Sequence, residues 1–330
     1  MTRSAIAKIF RPTKRNLSFL ARKLRAGDLV AVPSETVYGL AGNALDAAAC
    51  RAIFRAKGRP SSDPLIVHLY SASQLATVAK PNKAALLLAK AFWPGPLTII
   101  LPKQSIIPGI VTAGRKTVAV RVPAHPVFRQ LLKEAGIPLA APSANPFGYI
   151  SPTTAEHVRE GLGERIAYIV DGGPTPLGLE STIVDLRRPV RPVVLRPGLI
   201  SATEISRVLG RRVATHRPVI SSSSPSSQLS PGLLKRHYSP RTPLILHSKL
   251  SATISRSPRE ALLFFRKQPG STPNAFYLAR RGNVQGAARR LFATLRSLDA
   301  RKFSRIHVEL APSGSLGDAI NDRLRRAAAR

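Results

Sequence analysis

Four segments carry residue types suited to gripping an anionic small molecule. The first, Pro33-Ser34-Glu35-Thr36-Val37-Tyr38-Gly39-Leu40, is a polar loop directly after a short apolar strand, where α/β proteins bind ligands. Taken singly it reads better as an ordinary turn. The second runs Lys57-Gly58-Arg59-Pro60 to Asp63, Pro64 and His68. Two cations around a glycine can hold a triphosphate from two sides. The same cations also suit a solvated helix end, where they complement the dipole, and His68 also suits a satisfied core histidine. The third pairs Thr117–Val122, an alternating apolar run with Arg121 inside it, with the small-residue stretch Ala140-Ala141-Pro142-Ser143-Ala144-Asn145-Pro146. A buried guanidinium needs an anionic partner: a ligand carboxylate, or an acid of the chain such as Asp171 or Asp185. The fourth joins Asp171-Gly172-Gly173 to Gly178-Leu179-Glu180-Ser181-Thr182-Ile183-Val184-Asp185 and Leu195-Arg196-Pro197-Gly198. These are glycine-rich turns entering strands, which fit either loops around a site or plain turn chemistry.

The common catalytic signatures are absent. There is no GxxxxGK[ST], no GxSxG, no HExxH and no CxxC, and the seven histidines lack metal-ligand spacing. One cysteine, Cys50, excludes a disulfide scaffold and a thiolate-ligated metal. Chemistry here must come from cations, hydroxyls, amides and backbone. That inventory suits phosphate reactions, in which positioning and charge neutralisation dominate. The formal net charge of +34 over 330 residues, with 51 Lys+Arg against 17 Asp+Glu, points to polyanionic partners. The charge is spread throughout: 30 basic and 12 acidic residues in 1–214, 21 and 5 in 215–330. A spread charge fits a basic globular protein better than a basic arm. The start Met1–Arg15 has the acid-free composition of transit peptides and also of a plain basic N-terminus on a cytoplasmic protein; it lacks a secretory apolar stretch. No apolar run approaches membrane-spanning length.

The elements that must position these residues alternate in type. Helices are expected over 16–26, 46–57, 82–92, 125–135, 153–160 and 203–209, with Asn16 capping the first and Gly27 stopping it. Strands are expected over 29–33, 65–70, 97–101, 117–122, 139–141, 167–170, 181–186 and 191–195. Ser221–Ser227 reads SSSSPSS, a linker composition. Beyond it, strands at 243–247, 274–278 and 305–310 alternate with helices at 258–267, 283–298 and 316–328, a small parallel α/β unit.

In this order and spacing, PSETVYGLAG, KGRP…PLIVH, WPGPLT, TVAVRVP, APSAN…SPT, GLESTIVD and LRPG resemble the YrdC/Sua5 family of threonylcarbamoyl-AMP synthases. The likeness continues in SPGLLKRHYSP (230–240) and GDAINDRLRRAA (317–328), as in the two-domain Sua5 type, and covers about residues 16–330. It implies a twisted mixed α/β sheet of the YrdC-like (DHBP synthase-like) type with a second, smaller Rossmann-like α/β domain. The expected division is a basic extension (1–15), a catalytic domain (16–214), a linker and lid (215–241) and a C-terminal domain (242–330).

The resemblance also implies the reaction: a nucleotidyltransferase forms threonylcarbamoyl-AMP and pyrophosphate from L-threonine, bicarbonate and ATP with Mg²⁺. A separate threonylcarbamoyl transferase complex then modifies adenosine 37 of tRNA. By position, the catalytic set falls on Lys57, Arg59, Ser143 and Asn145. The nucleotide set falls on Arg59, Asp63, Thr117, Ser143, Ser151, Arg196 and Tyr238, with Tyr238 as part of a lid. The threonine set falls on Thr36, His68, Arg121, Ala141 and Ser181. No side-chain metal motif is expected, Mg²⁺ arriving on the ATP phosphates. Asp63 fits least easily, an acid among phosphates unless it meets ribose or Mg²⁺. The competing class is a basic double-stranded RNA- or tRNA-binding protein of the same fold without synthase activity. Against it stand only 5% aromatic residues and no RNP, KH or OB pattern. A hydrogenase-maturation carbamoyltransferase would need the cysteine-rich zinc segments that this chain lacks.

Overall fold

The computed structural model describes residues 6–216, 237–251, 253–254, 257–267 and 274–329. The serine-rich stretch 221–227, and residues 230–236 of the segment beginning SPGLLKR, lie outside the described residues.

The first sheet grows from strands β1 (Lys8–Phe10), β2 (Val30–Pro33), β3 (Tyr38–Asn43), β4 (Ile66–His68), β5 (Leu97–Pro102), β6 (Thr117–Arg121), β7 (Leu139–Ala140), β8 (Tyr168–Val170), β9 (Thr182–Asp185), β10 (Val193–Arg196) and β11 (Ala214–Thr215). Their spatial order is β1-β8-β2-β3-β7-β4-β6-β5-β9-β10-β11, with mixed parallel and antiparallel pairs. Helices α1 (Lys14–Arg25), α2 (Ala47–Lys57), α3 (Leu75–Val78), α4 (Lys83–Phe92), α5 (Pro126–Ala135), α6 (Ala155–Leu162) and α7 (Ala202–Leu209) connect them. Two apolar clusters form most of this domain's core. One joins Leu40, Val67, Ile99 and Val120 to α2 and α4. The other joins Val30, Val32 and Ala41 to Leu20 and Leu24 of α1 and Phe128 and Leu132 of α5.

The second sheet is all parallel, ordered β12-β15-β13-β14, from β12 (Leu244–His247), β13 (Glu260–Arg266), β14 (Ala275–Ala279) and β15 (Arg305–Glu309). Helices α8 (Val284–Ala300) and α9 (Ser315–Ala328) pack with it. Its apolar cluster does not stop at the domain edge. Leu263, Phe292 and Leu324 lie in one cluster with Val37, Ile150 and Leu179 of the first domain and with Tyr238. The two domains therefore share a core beside the loops described below.

Four local expectations give way. Residues 258–267, expected as a helix, hold β13 instead. The run EALLFFR is apolar almost throughout, and a fully buried strand has no alternation to separate it from a buried helix. The end of the loop expected over 33–40, from Tyr38 on, is strand β3, which pairs antiparallel with β2. Residues 8–10, within the N-terminal segment, pair with β8. At α1 the cap is Thr13, whose hydroxyl accepts from the Asn16 amide at 3.3 Å, so the helix begins ahead of Asn16.

Candidate functional site

The tight β2–β3 connection is held by one hydroxyl. Ser34 Oγ accepts from the amides of Thr36 and Val37, both at 3.2 Å, and donates to the Val37 carbonyl at 2.6 Å. This Ser-turn fixes Glu35 and Thr36, both buried, toward β6. Arg121 meets them there. Its Nη2 lies 2.6 Å from Glu35 Oε1, its Nη1 donates to Thr36 Oγ1 at 3.1 Å, and its Nε donates to the Gly95 carbonyl at 3.1 Å. The chain partner of Arg121 is thus Glu35, and not Asp171 or Asp185. Asp171 accepts from the Tyr38 hydroxyl and the Gly173 amide, and Asp185 pairs with Arg187.

His68 stands beside Arg121 because β4 and β6 run parallel with these two residues in register. Its ring tilts against Phe128 at 5.2 Å. Burial first, and Arg121 second, lower its pKa to about 3, so the ring is neutral near pH 7.

Helix α2 delivers the next two cations. Asp46 caps its start and Gly58, in the left-handed conformation, closes it. Lys57 Nζ donates to the Ser143 and Asn145 carbonyls, at 2.6 and 2.5 Å. Burial, reinforced by Arg59, holds its pKa well below the usual lysine value. Lys57 therefore ties the 143–145 loop to the helix end and does not extend freely. Arg59 turns back on its own segment, with Nε on the Asp63 carbonyl at 3.1 Å, Nη2 on the Pro64 carbonyl at 2.7 Å and Nη2 2.9 Å from Asp63 Oδ1. Burial raises the Asp63 pKa, against the lowering pull of Arg59 and Lys57. Neither Asp63 carboxylate oxygen has a well-aligned hydrogen bond.

The third side comes from the loops around β9 and β10. Ser181 Oγ shares a hydrogen bond with Thr98 Oγ1 at 2.8 Å and accepts from Arg196 Nη2 at 3.1 Å. Ser151 Oγ donates to Glu180 Oε1 at 2.6 Å. Tyr238 closes the top with a positive φ of 63°. It stacks on Phe292 at 5.5 Å and lies edge-on to His237 at 4.1 Å.

These parts enclose a cavity whose free volume is about 50 Å³. That is room for several waters, and a nucleotide needs more. Thr36, Arg59, His68, Arg121, Ala141, Ser143, Ser181, Arg196 and Tyr238 all line it. Lys57, Asn145, Asp63 and Ser151 stand one bond behind the lining, each bonded to a lining residue or its loop. Thr117, at the start of β6, lies outside the lining. Glu35 and Glu180 received no role from the sequence, although both fall inside quoted motifs; each meets its arginine across a long sequence separation, which no local signal marks. Three guanidinium groups against one carboxylate, Glu180, make the lining cationic. Among the described residues no cluster of three or more His, Cys, Asp or Glu could hold a metal ion. Asp63, ringed by Arg59, Lys57, Arg196 and Arg115, is a poor ligand for a bare cation.

A mixed α/β sheet whose turns converge on a small cationic cavity, capped by a second parallel α/β domain, defines a two-domain protein for anionic small molecules. Residues 22–198 match the Sua5/YciO/YrdC family, described under the words telomere recombination, and residues 200–329 match the threonylcarbamoyl-AMP synthase C-terminal domain. The chain belongs to the Sua5/YciO/YrdC family and carries the Sua5-type C-terminal domain. The threonylcarbamoyl-AMP synthase of Pyrococcus abyssi is 42% identical over 316 residues, covering 92% of this chain and 91% of the relative. That of Bacillus subtilis is 41% identical over 321 residues, covering 93% and 91%. The crystal structure of P. abyssi Sua5 complexed with L-threonine superposes with a TM-score of 0.87 at 39% identity, covering 98% of both chains.

Proposed function

We propose that this chain is a threonylcarbamoyl-AMP synthase, forming threonylcarbamoyl-AMP and pyrophosphate from L-threonine, bicarbonate and ATP. The observation that carries the reading is the pairing of Arg121 and neutral His68 side by side on β6 and β4, facing a cavity that Arg59 and Arg196 also line. The relatives of matching length bear this activity in their names, and one of them has been crystallised with threonine.

Arg121 receives the threonine carboxylate with the N–H groups that Glu35, Thr36 and Gly95 leave over. A guanidinium carries five donors; two make hydrogen bonds here, and Nη2 stands in ion-pair contact with Glu35. His68, uncharged, presents a ring nitrogen to the amino acid without repelling its ammonium group. Ala141 and Ser181 border the same end. At the other end Arg59 and Arg196 face the phosphates, and Ser143 and Ser151 offer hydroxyls. Lys57 and Asn145 act by holding the 143–151 loop: Asn145 Nδ2 donates to the Pro146 and Tyr149 carbonyls at 2.9 and 2.8 Å. Threonine's amine, after losing its ammonium proton, takes up carbon dioxide with release of a second proton, or bicarbonate with release of water, to give the carbamate. Its oxygen attacks the α-phosphorus in line, and the cationic lining stabilises the departing pyrophosphate. No covalent enzyme intermediate is needed. Mg²⁺ comes with ATP on its phosphates and supplies charge neutralisation there; the donor set of the described residues does not fit a resident metal, and no step is assigned to one. ATP enters only if Tyr238 moves, because the present free space is too small.

The product serves a separate threonylcarbamoyl transferase complex that modifies adenosine 37 of tRNA, in the cytoplasm. Among the described residues no helix is long and apolar enough to cross a membrane. The reading is tested by omission: pyrophosphate release must require threonine, bicarbonate and Mg-ATP together. Release that persists without threonine would show an ATP hydrolase instead.

A further inference from the structure

Among the described residues, Arg323 has the largest fully buried side chain. It belongs to α9 of the C-terminal domain, yet every partner outside its own helix is at the cavity. Its Nε donates to Glu180 Oε2 at 3.2 Å, and its Nη1 donates to the Pro197 carbonyl at 2.6 Å. Its Cζ lies 5.7 Å from the centre of the Tyr238 ring. The second oxygen of Glu180 accepts from Ser151, which closes a buried chain Arg323–Glu180–Ser151. Arg296, on α8, adds hydrogen bonds to the Ile150 and Ser151 carbonyls at 2.5 and 3.4 Å.

The contacts divide the site unequally. Ser151, Tyr238 and the residue following Arg196 are all touched from the C-terminal domain, and Ser151, Arg196 and Tyr238 belong to the nucleotide set. Thr36, His68 and Arg121 are held by bonds and ring contacts inside the first domain. Glu180 is buried with one oxygen for each neighbour. Without the Arg323 guanidinium Glu180 loses its direct ion pair, and the geometry that aims the Ser151 hydroxyl is lost.

We propose that Arg323 is a positioning residue through which the C-terminal domain sets the nucleotide half of the site, acting on Ser151 by way of Glu180 and leaving Thr36, His68 and Arg121 of the threonine half untouched. The proposal rests on the synthase reading given above, but it can be tested by binding alone.

The test uses the full chain with Arg323→Met, Arg323→Lys, Ser151→Ala and the Arg323→Met/Ser151→Ala double variant. Calorimetry measures the affinity for threonine and for a non-hydrolysable ATP analogue separately, and steady-state assays give KM for each substrate. Arg323→Met is expected to weaken analogue binding and raise KM for ATP by about tenfold or more, the loss expected for one charge-assisted hydrogen bond. Threonine affinity should stay within about twofold. In the double variant the two nucleotide effects should fall short of multiplying, since both act on one hydroxyl. Equal losses for both ligands, or effects that multiply, would overturn the proposal. If Arg323→Met shows no cooperative melting, Arg323→Lys, which keeps the charge and loses the fork, carries the same expectations. A wild-type protein that binds both ligands and forms no product would overturn the synthase reading alone, and the binding comparison would still decide the role of Arg323.

Discussion

Arg121 offers the sharpest separation between a structural and a ligand-binding role. The guanidinium is almost wholly buried and forms an ion pair with Glu35, whose carboxylate is itself buried. Removing it in Arg121→Met strands that carboxylate, and breaking a buried pair from one side costs about 3–5 kcal/mol of stability. Neutralising the orphan in Arg121→Met/Glu35→Gln should restore most of this loss, because a neutral amide is far cheaper to bury than a lone charge. Threonine binding behaves differently if the free N–H groups hold its carboxylate. Losing one charge-assisted hydrogen bond costs about 1.5–3 kcal/mol, or about 10- to 150-fold in KM for threonine. KM for ATP should change by less than about threefold, since the nucleotide-set residues that line the cavity, Arg59, Ser143, Arg196 and Tyr238, lie on other elements. The assays are urea melting for stability and pyrophosphate release with each substrate varied in turn. The double variant decides: stability returns and threonine affinity does not. If threonine affinity returned with stability, Arg121 would be only a structural ion partner and the carboxylate assignment would be wrong.

Three other perturbations follow from the same geometry. Lys57→Met leaves the Ser143 and Asn145 carbonyls without their donor and should cost about 1–3 kcal/mol in urea melting; an unchanged midpoint would show that this tie contributes nothing. Stability should fall as the solution is acidified, because the pKa of His68 is lowered to about 3 and that of His157 to about 4, chiefly by burial. Between an unfolded value near 6.5 and these folded values the unfolded chain binds the extra protons, and His68 alone accounts for about 2 kcal/mol lost by about pH 5. Melting curves from neutral to about pH 5 read this, and His68→Gln should flatten them; an unaltered slope would remove His68 from the account. Gly178 has a φ of +71°, and a Cβ there would lie 2.4 Å from the Arg289 carbonyl on α8. Gly178→Ala should therefore strain the domain junction and lower stability by about 1–3 kcal/mol, seen as a lower melting temperature; a neutral substitution would show a junction that yields freely.

Much of this arrangement was legible in the sequence, where local chemistry decides it. Asp46 and Gly58 bracket α2, and Gly136 ends α5, as cap and stop residues require. The ordered motifs also brought nine of the site residues to one cavity wall. What stayed hidden depends on pairing across long separations. Strand β13 carries no alternation because both of its faces are buried. The Arg121–Glu35 pair spans nearly half of the first domain in sequence, and nothing local distinguishes Glu35 from Asp171 or Asp185 as its partner. Arg323 reads as one more cation in a basic helix until the fold brings it against Glu180. Lys57 reads as a phosphate ligand until its Nζ is found on two carbonyls. The net charge of +34 is likewise only partly used, since Arg59, Arg121 and Arg196 line the cavity and most other basic residues do not.

The central claim is that this cavity joins threonine, bicarbonate and ATP into one adenylate. Incubating the purified chain with threonine, Mg-ATP and ¹³C-bicarbonate, then resolving the nucleotides by mass spectrometry, tests it directly. The account predicts a new adenylate with the mass of AMP plus a threonylcarbamoyl group, heavier by the labelled carbon and absent when threonine is withheld. Pyrophosphate or AMP formed without that labelled adenylate would contradict it.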